Sequence, residues 1–232
     1  MTEIDTPRAW RTVLDHVETD LLDGRLRPGD RLPGERELAA RLGVGRSSVR
    51  EALRVLEVMG LVRTATGSGP SSGAIIVARP GGGMSTLLRL QTAAQAFRID
   101  DVVSTRVVLE TAVVGTLAGG EHDLAAAREV LDAMGDEHLA PADFLALDAR
   151  FHLALAEASG NAVLVAVMAG LRTAIEAYVQ QGARAIDDWP ATAARLRAEH
   201  GQIVAAVEAG DVARAERCVR HHIDGYFQQI RR

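Results

Sequence analysis

A chain of 232 residues with 47% hydrophobic and 25% charged residues has the balance of an ordinary globular protein, long enough for one large domain or two smaller ones. The net charge of −5 argues against a uniformly basic nucleic-acid binder, yet the charge is uneven: from Arg31 to Arg63 seven arginines stand against four acids, and residues 80–232 hold fourteen against twenty. No run of eighteen apolar residues points to a membrane span, the acidic "MTEIDTPRAW" lacks the apolar stretch of a signal peptide, and the single Cys218 excludes an internal disulfide, so a cytoplasmic protein is expected.

Residues 9–24, "AWRTVLDHVETDLLDG", read as an amphipathic helix through Val13, Val17, Leu21 and Leu22, stopped at Gly24. "RLRPGDRLPG" is a turn-rich connection, and "ERELAARLG" a short helix ending at Gly43. A tight turn at "VG" leads into "RSSVREALRVLEVMG", a third helix ending at Gly60. "LVRTA" and "GAIIVA" then read as two short strands around "TGSGPSSG". Helix, helix, short turn, helix and hairpin is the order of a winged helix-turn-helix. Pro80 followed by three glycines is expected to sustain neither helix nor strand, so residues 80–83 read as a linker. Beyond it, helices are expected near 84–97, 100–119, 121–135, 141–159, 161–181, 189–209 and 211–230, with Asn161 as an N-cap. The fold class is therefore mainly α: a winged head over residues 1–79 and an all-α bundle of six to seven helices over 84–232.

The third helix carries Arg46, Arg50 and Arg54 at four-residue intervals on one flank, beside an apolar stripe of Val49, Leu53 and Leu56. Such a helix can dock by its stripe and present arginines outward. All 26 basic residues are arginines, so the residue type alone says little; the placement matters. In a helix-turn-helix the second helix lies in the major groove, and its first turn, here Arg46 and Ser47, meets base edges. Arginine pairs bidentately with guanine or with phosphate. Glu51 and Glu57 flank the row and could neutralise part of it; an ordinary solvated helix face is the alternative.

"LPGERELAARLGVGRSSVREALRVLEVMGLVRTATGSG" resembles the DNA-binding head of the GntR family of bacterial transcription regulators. The resemblance implies DNA contacts at Arg36, Arg46, Ser47 and Arg50, with the wing glycine at Gly67. Gly34 departs from the family's usual serine before the short helix, with little expected consequence because Gly caps only slightly less well.

In the second half, His200 sits in the middle of an apolar stripe of Leu196, Ile203, Val204 and Val207. His222 falls on the stripe of Val212, Ala215, Val219 and Tyr226, whereas His221 does not. Asp148 and His152 edge the stripe of Phe144, Leu147, Phe151 and Leu155. His16, His122 and His138 look peripheral. A single inward histidine usually finds a hydrogen-bond partner and nothing more. Three of them with an aspartate, on three helices of one bundle, suit one divalent metal ion per chain, with zinc placed ahead of nickel or manganese. Arg106, amid Val102, Val103, Leu109 and Val113, needs an anion: either an internal partner such as Glu110 or a bound carboxylate.

"LDARFHLALAEASGN", "RAEHGQIVAAVEAGDVARAE" and "VRHHIDGYF" resemble the FCD effector domain of the FadR-type branch of GntR regulators. This implies Asp148, His152, His200 and His222 as metal ligands and Arg106 as the contact for a small acid. The resulting expectation is a homodimeric regulator, a repressor on a palindromic double-stranded operator, that responds to a small carboxylate and has no membrane partner. It is not expected to be an enzyme: Asp-x-x-x-His is not a hydrolase helix motif, and no nucleophile elbow, phosphate loop or CxxC is present. The alternatives are a metal-dependent enzyme of small organic acids, and a regulator whose bundle only dimerises.

Overall fold

The computed structural model describes residues 9–65, 73–77 and 80–231. The chain divides into two compact units, Met1–Met84 and Ser85–Arg232.

In the first unit, α1 (Ala9–Leu22), α2 (Glu35–Leu42) and α3 (Arg46–Val58) precede an antiparallel hairpin of β1 (Val62–Ala65) and β2 (Gly73–Ile76), in register from Val62 opposite Ile76 to Ala65 opposite Gly73. Val13 and Val17 of α1, Leu38 of α2, Val49, Leu53 and Leu56 of α3, and Val62 and Ile76 of the hairpin are all buried in one cluster. The apolar stripe of the third helix is thus what fixes it. The turn between α2 and α3 depends on Gly43, whose φ of 66° is the left-handed conformation that ends α2. Gly34 caps α2 with extended backbone and no side-chain bond, as its lack of a side chain dictates.

The second unit contains α5 (Ile99–Ala118), α6 (Ala125–Ala133), α7 (Pro141–Ala158), α8 (Ala162–Ala183), α9 (Trp189–Glu208) and α10 (Val212–Ile230). Helix α5 is central and packs on α7, α8, α9 and α10; its Val113 and Leu117 share one buried cluster with Phe151, Leu155, Leu196, Ile203 and Val219. By length and composition α8 could cross a membrane (mean hydropathy 1.6), although it packs on α5 and α7.

Helix α4 spans Pro80–Ala93 and corrects the expectation of a non-helical linker at 80–83. Proline at the first helical position lacks only an N–H that would have no intrahelical partner, and its fixed φ suits a helix start. The glycines lower helix propensity without forbidding the conformation.

Asn161 caps α8 as expected, its Oδ1 accepting from the N–H groups of Val163 (3.1 Å) and Leu164 (3.2 Å). Asn161→Ala should lower stability by about 1 kcal/mol, read in thermal unfolding as a fall in Tm of roughly 2–4 °C. An unchanged Tm would mean that the cap contributes nothing.

Candidate functional site

The head presents a basic face. Arg36 on α2 and Arg46, Ser47, Arg50 and Arg54 on α3 are exposed, while Val49 and Leu53 beside them are buried. The neutralising acid is neither Glu51 nor Glu57. Glu35 of α2 accepts from Arg50 Nε at 2.7 Å and lies 3.8 Å from Arg46 Nη2. Glu57 instead accepts from the backbone N–H and hydroxyl of Thr64, which hold its carboxyl below the usual range. Gly67 lies outside the described residues.

In the bundle, Asp148, His152, His200 and His222 converge from α7, α9 and α10, one ligand atom of each lying within 4.8 Å of the others. His222 Nε2 is 3.1 Å from both His152 Nε2 and His200 Nε2. Asp148 Oδ1 lies 3.2 Å from His200 Nε2, 3.6 Å from His222 Nε2 and 4.0 Å from His152 Nε2. All three rings are buried. Local helix geometry explains part of this: Asp148 and His152 are one turn apart on α7. Packing supplies the rest, with Phe151 tilted against the His200 ring at 4.5 Å between centroids.

The remaining ring nitrogens reveal a second layer. His152 Nδ1 is 2.6 Å from Glu110 Oε2 on α5, and His222 Nδ1 is 2.9 Å from Glu199 Oε2 on α9. Glu199 is held in turn by Arg195, whose Nη1 donates at 2.6 Å and whose Nη2 bonds Gln229. Neither His152 Nδ1, despite its short approach to Glu110, nor His200 Nδ1 makes an aligned hydrogen bond among the described residues. Burial pushes the Glu110 carboxyl up, but Arg106 and His152 outweigh it and hold the group down to about 2. Burial opposes charge on His222 as well, yet Asp148 and Glu199 raise it to about 9; His200, buried and beside His222, falls to about 4 despite Asp148.

This donor set fits a divalent metal. Ligand bonds of about 2.0–2.1 Å place neighbouring donors roughly 3.0–3.4 Å apart, close to the ring-nitrogen separations here. Without an ion, three Nε2 atoms crowd together with few protons to place between them. Carboxylates on the far nitrogens are what orients imidazole ligands.

Arg106 Nε and Nη2 both lie 2.9 Å from Glu110 Oε1, so the internal partner weighed from the sequence is present. Its Nη1 has no hydrogen-bond acceptor among the described residues. Arg106, Asp148 and His152 also line a cavity of about 50 Å³ with Arg172, Leu145 and Ile175. Arg172 is half-buried; desolvation lowers its pKa, and its only hydrogen bond among the described residues is to the Ala146 carbonyl at 3.4 Å.

Glu199 and Arg172 were not picked out from the sequence. Glu199 was legible, three residues after Leu196 and so on the same stripe as His200. Arg172 was not, because it lies within the apolar run of α8 and its role depends on how α8 meets α7. His221, which falls off the stripe, is 77% exposed while His222 beside it is 4% exposed, so one residue of register separates the buried cluster from the surface.

A winged helix-turn-helix head followed by an all-α bundle with a small cavity lined by Arg106, Asp148, His152 and Arg172 is the organisation of a DNA-binding transcription regulator with an effector domain. Residues 10–70 match the model of bacterial regulatory proteins of the gntR family, and residues 101–225 match the FCD domain. The chain belongs to the GntR family, in the group that carries an FCD domain. It is 30% identical over 217 residues to the HTH-type transcriptional regulator LutR of Bacillus subtilis (strain 168), covering 89% of this chain and 97% of LutR. It is 28% identical over 218 residues to the Glc operon transcriptional activator of Escherichia coli (strain K12), covering 91% and 84%. Among solved structures, Streptococcus agalactiae GntR has the same fold, with a TM-score of 0.64 at 24% identity over 94% of this chain and 97% of that one. LutR and the Glc operon protein are both named as regulators of transcription.

Proposed function

We propose that the bundle is a metal-centred sensor of small carboxylates that controls the grip of the winged head on DNA. The observation that carries this reading is that Arg106, Asp148 and His152 face one cavity, so a single ligand can meet both the guanidinium and the metal-ligand set. Residues 1–79 form the DNA-reading part and 84–232 the sensing part. Asp148, His152, His200 and His222 would hold one divalent ion, with zinc preferred over nickel or manganese. When bound, the ion supplies a Lewis-acidic position for a carboxylate oxygen. Glu110 takes the Nε/Nη2 edge of Arg106 and leaves the other edge for the acid. Arg36, Arg46, Ser47 and Arg50 face the DNA.

The proposed regulator is a homodimer on a palindromic operator. In support, only 28% of the apolar window of α8 is buried within one chain, and Val163 is 68% exposed. Two-fold symmetry in the protein would match two-fold symmetry in the site. Repression relieved by the acid is the proposed direction of control; one relative is named an activator, so transcription measured with and without acid decides the sign. A coupling of about 1–3 kcal/mol between acid and DNA is enough for control.

The test is calorimetric titration of metal-loaded protein with a panel of small mono- and dicarboxylates. Arg106→Lys should weaken binding of the acid that the parent takes up by about tenfold or more, because an ammonium cannot copy a two-point grip. Metal content and acid-free DNA affinity should stay near the parent's. Equal acid binding by the mutant would leave Arg106 as a partner of Glu110 alone.

A further inference from the structure

A second cavity, of about 30 Å³, adjoins the first. Arg106, Asp148, Ile175 and Val179 line both. The second is completed by His222 and, one turn further along α10, by Tyr226. Tyr226 is 9% exposed, and its hydroxyl has no hydrogen-bond partner among the described residues. A buried hydroxyl in that state carries a desolvation penalty that phenylalanine, filling the same space, would avoid.

The surroundings limit what can answer it. Burial, and then the charge of Asp148, hold the phenol protonated, so it acts as a donor. Arg106 is also only a donor. His222 Nδ1 is engaged by Glu199, and its Nε2 faces the other two rings. Asp148 on the same cavity wall is an acceptor but makes no hydrogen bond to the hydroxyl, which leaves an oxygen entering the cavity to supply one.

We infer that Tyr226 is a specificity residue whose hydroxyl donates to a second oxygen of the effector, distinct from the carboxylate held at Arg106. The inference rests on the acid-sensing reading and narrows it to acids that carry a further hydroxyl, carbonyl or carboxylate oxygen. The Arg106 and Tyr226 donors on one pair of adjoining cavities would then recognise the two polar ends of one small molecule.

Tyr226→Phe tests this in the full-length, metal-loaded protein. The probes are two matched pairs: L-lactate with propionate, and succinate with butyrate. Within each pair only the second oxygen-bearing group differs. The parent should prefer the oxygen-rich member of at least one pair, and the mutant should lose about tenfold in affinity for that acid, as expected for one hydrogen bond. Affinity for the plain monocarboxylates and metal content should not change, and Tm should hold or rise. A mutant with lowered Tm and unchanged acid affinities would overturn the inference and make the hydroxyl structural. A parent that binds the acids without preference, or a mutant that binds them all as the parent does, overturns the inference alone. A parent that binds none of the four, nor any acid of the wider panel, overturns the acid-sensing reading as well.

Discussion

A chelator should lower the melting temperature of the purified protein, and His200→Ala should abolish that response. A ligand that binds only the folded state stabilises it in proportion to its excess over Kd, by about 2.7 kcal/mol at a hundredfold excess. For a chain of this size that corresponds to roughly 5–10 °C. His200 is fully buried and its Nε2 lies within 3.2 Å of both His222 Nε2 and Asp148 Oδ1, so removing the ring opens the set from its centre. His221→Ala is the control: it neighbours His222 in sequence but is exposed. Elemental analysis should give about one divalent ion per parent chain and His221→Ala chain, and far less in His200→Ala. Metal-free parent protein whose melting ignores the chelator would reject the site.

Arg46→Ala and Arg50→Ala should each weaken binding to a DNA site selected from a random pool by about 1–3 kcal/mol if they read bases. Neither should lower Tm appreciably, since both side chains are more than half exposed and lie off the Val49–Leu53–Leu56 stripe. Glu35→Ala should act in the opposite sense and strengthen binding, because it frees both arginines. Affinities for selected and scrambled DNA, measured at one salt concentration, separate the two roles. If the preference for the selected site survives both arginine mutations, they contact phosphate at most.

The helices of the bundle and the inward histidines were legible because amphipathic periodicity fixes which face turns inward. A residue that interrupts a stripe with an imidazole or carboxylate then stands out. The four candidate ligands were found in this way, and the structure brings their side chains together. Relations between helices were not legible. The carboxylates behind the rings, Glu110 and Glu199, are matched to His152 and His222 on other helices. The acid between the head's arginines comes from α2, whereas the spacing of the third helix points only to its own Glu51 and Glu57. The start of α4 was missed for a local reason: Pro followed by glycines reads as a break, although proline is well suited to a helix start.

The position of Glu35 bears on how such a head would search a genome. For a head that grips DNA through Arg46 and Arg50, the carboxylate is a competitor tethered to the protein itself. Releasing it from the arginines costs the same whether they then meet a base edge or a phosphate, so the ratio of specific to random binding is untouched. Every dwell on DNA is shortened by the same factor. A protein facing on the order of a million competing sites would leave the wrong ones sooner, and its time would go to sampling more of them.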